Sequence, residues 1–187
     1  MRTFIAIELG KEIKEVLSKI QSELKNAAAD VKWVYPENIH LTLKFLGEVK
    51  EEKIPKIIQC LKEICNTINP FNIEIKDTGA FPDMKSPQVI WVGIEEGKEK
   101  LLELVELMED ILVKLKFPKE ERKFSAHITI GRVKSLKNKG VLSQKINALQ
   151  FGSPAHQEVK SIILFKSTLT PKGPIYEKLS EENFKKD

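Results

Sequence analysis

Polar and apolar residues alternate along several short segments of the chain, and longer segments between them repeat apolar residues every three or four positions. Alternation is typical of a half-buried strand, and the longer period is typical of an amphipathic helix. The pattern predicts strands at residues 2–9, 31–35, 39–45, 71–75, 88–94, 124–130, 158–168 and 175–179. It predicts helices at residues 11–24, 51–68, 98–116 and 139–149, and a loop at residues 79–87.

Because helices are interleaved among strands, the order of elements predicts a mixed α+β fold in which sheets pack against helices. No linker or low-complexity segment separates two independent units, so a single domain is expected over residues 1–187. The chain is 41% hydrophobic, which is enough for a sizeable core and too much for a disordered protein.

Charge and cysteine content narrow the class of protein only slightly. The net charge of +4 is mildly basic and does not by itself indicate a nucleic-acid partner. No segment approaches the roughly 20 apolar residues of a membrane span, and the start of the chain does not resemble a signal peptide. Cys60 and Cys65 are expected to be reduced thiols in a helix, which favours a cytoplasmic protein.

A four-residue pattern, His-apolar-Thr-apolar, occurs twice, at residues 40–43 and 127–130. The two copies are separated by about half of the chain, and they contain two of its three histidines. One copy is a common accident in a strand, but two copies at this spacing indicate function. The third histidine, His156, has no such threonine and is predicted to be an exposed loop residue.

Strand periodicity places the polar members of each copy on one face. Successive side chains of a strand point to opposite faces, so His40 shares a face with Thr42, and His127 shares one with Thr129. Their apolar neighbours must face the helices, which leaves both pairs on the open side of the sheet. If the halves are related by a pseudo-twofold axis, both pairs line one cleft. In the first strand, Phe4 is expected on the same side.

Two histidines and two threonines can act together on a phosphate. A neutral imidazole accepts a proton from the attacking oxygen, and an imidazolium protonates the leaving oxygen. Threonine hydroxyls can donate hydrogen bonds to phosphate oxygens. This chemistry needs no metal or cofactor. A metal site remains an alternative, but no carboxylate recurs at matched positions, and a serine nucleophile would lack a glycine-rich elbow.

In these motifs the chain resembles the two-histidine (2H) phosphoesterase superfamily, and within it the RNA 2′,3′-cyclic phosphodiesterases, also called 2′-5′ RNA ligases. The resemblance covers nearly the whole chain and is carried by residues 2–7, 32–34, 36–49, 79–82, 87–91, 124–133, 167–171 and 173–176. It implies a bilobal fold of two pseudo-symmetric sheet-plus-helix halves around a central cleft.

The resemblance also implies roles for individual residues. His127 would be the general base that activates water, and His40 the general acid that protonates the departing 3′ oxygen. Arg132 would contact phosphate, although strict alternation puts it behind the sheet, so the strand is expected to end or bulge at Gly131. Lys44 shares the parity of His40 and is expected to meet the nucleic-acid backbone.

The activity implied is hydrolysis of a terminal 2′,3′-cyclic phosphate to a 2′-phosphate, with 2′-5′ joining of RNA ends such as tRNA halves as a side reaction. Phe4 could stack on a terminal base. No membrane and no obligate protein partner are expected. Two alternatives remain open: a non-catalytic module that binds RNA ends, and a 2H enzyme that acts on a small cyclic nucleotide.

Overall fold

The computed structural model describes residues 1–152 and 154–185. These residues form four helices, which are α1 (Lys11–Lys25), α2 (Ile54–Cys65), α3 (Lys98–Leu112) and α4 (Lys139–Ala148). They form nine strands, which are β1 (Arg2–Glu8), β2 (Val31–Trp33), β3 (His40–Glu48), β4 (Phe71–Phe81), β5 (Val89–Ile94), β6 (His127–Val133), β7 (Ala155–Val159), β8 (Ser161–Thr170) and β9 (Gly173–Asn183). No helix in the described residues is long and apolar enough to cross a membrane.

The strands form two antiparallel sheets. One has the order β3-β1-β8-β9, and the other has the order β2-β6-β5-β4-β7. The mixed α+β, two-lobed architecture predicted from the sequence is therefore confirmed. Each sheet contains one strand that carries a His-x-Thr pair, β3 in the first and β6 in the second.

The order of elements repeats along the chain. A strand, a helix, a motif strand, a second helix and a further strand follow one another twice. The first repeat is β1-α1-β3-α2-β4, with β2 inserted before β3, and the second is β5-α3-β6-α4-β8, with β7 inserted before β8. In each repeat the last strand leaves its own sheet, because β4 pairs with β5 and β8 pairs with β1. The two lobes thus exchange strands, and neither lobe is built from one half of the sequence.

Several boundaries differ from the sequence-based predictions. β4 continues to Phe81 through positions assigned to a loop, because residues 78–81 pair with β5. Gly79 leaves room there for the ring of Trp91, since an added Cβ would be 2.3 Å from it. The predicted strand at residues 158–168 is two strands, since the chain changes sheets after Val159. His156 is exposed as predicted, but it lies in β7 and pairs with Glu74 of β4.

The core lies between the sheets and the helices. α1 buries Ile13, Leu17 and Leu24 on one face, as the helical period predicts. α2 and α3 contact each other and bury their own apolar faces. The alternate residues of β3 and β6, Leu41 and Ile128 among them, are fully buried on the same side. This burial leaves the opposite faces of β3 and β6 available for the polar pairs.

Candidate active site

The structure brings both motifs to one cleft. β3 and β6 contact each other across the two sheets. His40, Thr42, His127 and Thr129 are half-buried and line a single cavity of about 660 Å³. Because the residues between them are buried on the other side, the strand alternation predicted for both motifs holds up to the fourth motif position.

Each histidine is fixed by the backbone two residues before it. His40 Nδ1 lies 2.7 Å from the carbonyl oxygen of Asn38, and His127 Nδ1 lies 2.7 Å from that of Ser125. A carbonyl only accepts hydrogen bonds, so each Nδ1 carries the proton and donates it. In both residues Nε2 is therefore the nitrogen that can gain or lose a proton in the cleft.

Burial lowers the pKa of both histidines. The bond to Asn38 partly opposes this effect in His40, and the charge of Lys14 lowers its pKa further. In His127 the bond to Ser125 opposes it, and the charge of Arg132 lowers the pKa further. In both residues the lowered pKa favours the neutral imidazole in the free protein, and a bound phosphate would favour protonation of one of them.

Aromatic rings support both histidines. The ring centroid of Phe4 is 4.8 Å from that of His40, and Tyr176 meets His40 edge-on at 5.3 Å. Phe81 meets His127 edge-on at 4.9 Å. Phe4 itself is only 2% exposed and stacks on Phe165. The structure therefore places Phe4 beneath His40 as a packing residue rather than as an open platform for a base.

A β-bulge at Leu43 reverses the alternation of β3. Thr42 is paired with Ala6 of β1, whereas the next paired residue, Lys44, is opposite Ile5. Leu43 is the extra residue, and both Leu43 and Lys44 are turned toward the core. After the bulge, the first residue on the cleft side is therefore the one that follows Lys44.

Lys44 is among the residues that line the cavity, but it does not present its charge at the open cleft surface as the sequence suggested. Its side chain is 2% exposed, and Nζ forms an ion pair with Glu109 of α3 at 2.6 Å. Nζ also donates a hydrogen bond of 3.0 Å to the carbonyl oxygen of Pro118. The lysine charge is thus already paired inside the protein, because the bulge turned this position toward the core.

Phe45 occupies the cleft position instead. It is paired with Phe4 across the sheet, their ring centroids are 5.9 Å apart, and Phe45 is 57% exposed. The sequence pattern did not predict Phe45 as a site residue, since strict alternation from His40 puts it on the core face. A comparison of the two motifs could have identified it, because Phe45 follows His40 by the same number of positions as Arg132 follows His127.

β6 contains the equivalent bulge at Ile130. Thr129 is paired with Trp91 and Gly131 with Ile90, which leaves Ile130 as the extra residue. Arg132 therefore faces the cleft, is exposed, and lines the same cavity as the histidines. The bulge expected from the resemblance is present, one residue before Gly131, and the strand continues to Val133.

The rim of the cleft is basic. Besides Arg132, the exposed side chains of Lys32, Arg122, Lys123 and Lys134 line the cavity, opposed by one carboxylate in its lining, Glu120. Closely spaced positive charges of this kind attract a phosphodiester backbone. The overall charge of the chain gave little indication of this concentration.

A group of metal-ligating side chains lies elsewhere in the molecule. Among the described residues, Glu74, Glu96 and His156 are the three that come close enough together to hold an ion. Glu74 and His156 are paired between β4 and β7, Glu96 follows β5, and none of the three lines the cleft. The cleft itself combines imidazoles, hydroxyls and a guanidinium, which is a donor set suited to an oxyanion.

The chain matches known proteins along nearly its whole length. A family model described as "LigT like Phosphoesterase" matches it twice, at residues 7–91 and 92–176. A protein of Methanocaldococcus jannaschii named RNA 2′,3′-cyclic phosphodiesterase is 42% identical over 97% of this chain and 99% of its own. One with the same name from Archaeoglobus fulgidus is 42% identical over 96% and 98%.

Solved structures share the fold. Protein TT0787 of Thermus thermophilus has a TM-score of 0.82 and 28% identity, and the match covers 98% of both chains. E. coli LigT without ligand has a TM-score of 0.78 and 24% identity, over 99% of this chain and 98% of its own. The duplicated match of the family model agrees with the repeated order of elements in the structure.

Proposed function

The chain belongs to the LigT-like phosphoesterase family, and we propose that it is a metal-independent RNA 2′,3′-cyclic phosphodiesterase that produces a 2′-phosphate. One observation carries the proposal: two half-buried histidines line one cleft, and each has Nδ1 held by a carbonyl so that Nε2 is left for proton transfer. The names of two relatives support the proposed substrate, because both are named RNA 2′,3′-cyclic phosphodiesterase.

The proposed reaction is an in-line displacement at phosphorus. Nε2 of His127 removes a proton from water, whose oxygen forms a new bond to phosphorus. The bond from phosphorus to the ribose 3′ oxygen breaks, and Nε2 of His40 donates the proton that this oxygen needs. General acid or base assistance of this kind contributes roughly 10²–10⁴-fold in rate.

The remaining cleft residues would stabilise charge. The hydroxyls of Thr42 and Thr129 donate hydrogen bonds to the non-bridging oxygens, and the Arg132 guanidinium balances the negative charge that grows in the transition state. Phe45 offers an exposed ring in the same cavity as the histidines, on which the terminal base can stack. These groups supply the proton transfers and the charge stabilisation without a metal ion.

The same site can join two RNA ends. If a 5′ hydroxyl replaces water, His127 removes its proton, the 3′ oxygen leaves, and phosphorus links the 2′ oxygen to the 5′ oxygen. The product is a 2′-5′ linkage, as would be needed to join tRNA halves. The basic rim favours RNA over the second candidate substrate, a small cyclic nucleotide, since a single nucleotide has little backbone to engage it.

The test is product analysis with an RNA oligomer that ends in a 2′,3′-cyclic phosphate, with and without excess EDTA. We expect a 2′-phosphate in both conditions, and loss of turnover in His40→Ala and His127→Ala. His156→Ala is the matched control, because it removes the exposed third histidine outside the cleft. A longer strand in the presence of a 5′-hydroxyl RNA would demonstrate ligation.

Other outcomes would contradict parts of the proposal. Activity abolished by EDTA and restored by a divalent ion would overturn metal independence. A 3′-phosphate product would mean that the 2′ oxygen leaves. Tight binding of the oligomer without turnover would identify a non-catalytic module that binds RNA ends.

A further inference from the structure

A second cavity, of about 530 Å³, meets the cleft at His40. Both cavities are lined by His40 and by five neighbours, which are Tyr35, Asn38, Gly173, Pro174 and Tyr176. Among the described residues that line the second cavity, neither the second motif nor Arg132 is found. The second cavity therefore extends the cleft at the His40 end and not at the His127 end.

The walls of this cavity are built by separate elements that are bonded together. The turn between β8 and β9 is closed by Thr170 Oγ1, which donates to the Gly173 carbonyl oxygen at 2.6 Å. Asn38 Nδ2 donates to the carbonyl oxygen of Pro174 at 3.0 Å. The same Asn38 holds His40, so the cavity and the histidine share one scaffold.

Two lysines give this cavity positive charge. Lys14 of α1 is half-buried and Lys172 in the β8–β9 turn is exposed, and within the described part of the chain neither forms an ion pair. Lys178 and Glu8 also line the cavity but neutralise each other at 2.7 Å. Glu37 is a further carboxylate at the wall. The charge of Lys14 reaches His40, since it lowers the pKa of that imidazole.

The geometry of the proposed reaction determines which part of the RNA chain lies next to His40. In an in-line displacement the attacking and leaving oxygens are on opposite sides of phosphorus. Water is on the His127 side, so the 3′ oxygen and its ribose are on the His40 side. The 3′ carbon is bonded directly to the 4′ carbon, from which the chain continues to the upstream nucleotide. The base is on the 1′ carbon, farther from the leaving oxygen.

We propose that the second cavity binds the RNA chain immediately upstream of the cyclic phosphate, with Lys14 and Lys172 contacting its phosphodiester oxygens. The ring of Tyr35, which is 56% exposed, would stack on the base of the penultimate nucleotide. This assignment rests on the proposed function and deepens it. It makes the substrate the end of an RNA chain and gives a cyclic mononucleotide only part of the site.

The test compares three substrates in which the upstream chain is added stepwise. They are adenosine 2′,3′-cyclic phosphate, the same compound with a 5′-phosphate, and an adenosine tetranucleotide ending in the cyclic phosphate. We expect kcat/KM to rise along the series. In Lys14→Ala/Lys172→Ala, the ratio of tetranucleotide to mononucleotide kcat/KM should fall on the order of tenfold, and the salt dependence should weaken by roughly 0.7 in log–log slope per lysine.

Two further variants make the result specific. Lys56→Ala/Lys62→Ala removes the same charge from the exposed surface of α2, outside both cavities, and should leave the ratio unchanged. Arg122→Ala/Lys123→Ala removes charge from the cleft rim but not from the second cavity. If the ratio falls only in that variant, or if wild type shows no preference for the tetranucleotide, the upstream chain does not use the second cavity.

A binding measurement separates this proposal from the proposed function. The anisotropy of a 5′-labelled tetranucleotide ending in a 2′-phosphate reports affinity without turnover. A weaker Kd in the Lys14/Lys172 variant but not in the Lys56/Lys62 variant supports the second cavity even if no substrate is hydrolysed. Equal Kd values in wild type and the Lys14/Lys172 variant would overturn it, whatever the activity.

Discussion

Each motif histidine combines a fixed Nδ1 with a pKa that burial has lowered. The carbonyls of Asn38 and Ser125 decide the tautomer in the same way in the two lobes. The nearest charges come from different residues, Lys14 at His40 and Arg132 at His127, and both lower the pKa. The protein thus favours the neutral form of both imidazoles, and an acid–base pair requires a bound phosphate that favours protonation of one of them.

The first prediction concerns pH. A neutral base and a protonated acid together give a bell-shaped kcat/KM, whose two apparent pKa values belong to the pair. Since burial lowers the pKa of both histidines, the bell should lie on the acid side of that expected for two ordinary imidazoles. Removing the charge that lowers the pKa of His40, in Lys14→Gln, should raise that pKa and move the profile toward higher pH.

The control for this shift is Lys19→Gln, because Lys19 is exposed on the same helix and does not line either cavity. Its pH profile should coincide with that of wild type. A profile of Lys14→Gln that coincides with wild type as well would show that the lysine does not influence the acid.

The second prediction separates the two histidines by leaving group. The acid matters only as far as the leaving oxygen needs a proton, whereas the base is needed for any substrate that water attacks. With an aryl phosphodiester, whose leaving group has a low pKa, His40→Ala should recover much of the roughly 10²–10⁴-fold that acid catalysis provides. His127→Ala should recover nothing. Recovery in His127→Ala instead would reverse the roles.

At the scale of elements, the two bulges decide what faces the substrate. The alternation predicted from sequence held for both His-Thr pairs, since the buried partners are ordinary apolar residues with a clear period. It failed after Leu43, where Lys44 turned inward and Phe45 outward. A bulge depends on how β3 pairs with β1, and leucine at the extra position carries no local signal for it.

The bulges also make the two halves of the cleft chemically different. The first residue on the cleft side after each bulge is an aromatic ring in β3, Phe45, and a guanidinium in β6, Arg132. Strict alternation along the strand puts Arg132 behind the sheet, and only the family resemblance predicted that it faces the cleft. The duplicated fold thus puts an aromatic ring on one side of the cleft and a guanidinium on the other, and the periodicity of either strand alone does not show this.

The third prediction concerns the ion pair that the first bulge creates. Lys44 and Glu109 join β3 to α3, and the bond to Pro118 ties in the segment that leads to His127. Glu109→Ala should leave a buried ammonium without its partner, which typically costs about 3–5 kcal/mol. Urea unfolding would measure the loss in the free energy of unfolding.

The double variant Lys44→Met/Glu109→Leu is the control, since it removes both charges and keeps apolar volume. It should be more stable than Glu109→Ala. If Glu109→Ala unfolds at the same urea concentration as wild type, the pair does not stabilise the link between β3 and α3.

On the scale of the whole molecule, strand exchange joins the two lobes. Each repeat ends in a strand that lies in the other sheet, so each sheet takes strands from both halves of the chain. The order of strands and helices was visible in the sequence, but the exchange was not, because the pairing partner of a buried strand depends on contacts distant in sequence. The exchange leads us to infer that residues 1–187 fold as a single domain.

The fourth prediction tests that inference by dividing the chain in the exposed segment between β4 and β5, into residues 1–86 and 87–187. The first fragment keeps β1 and β3 but lacks β8, which β1 needs as a partner, and the second lacks β4, the partner of β5. Neither fragment alone should show cooperative thermal unfolding by circular dichroism. Mixed during refolding, they should form a complex with the activity of the intact chain, because the exchanged strands complete both sheets. Independent folding of either fragment would contradict the single domain.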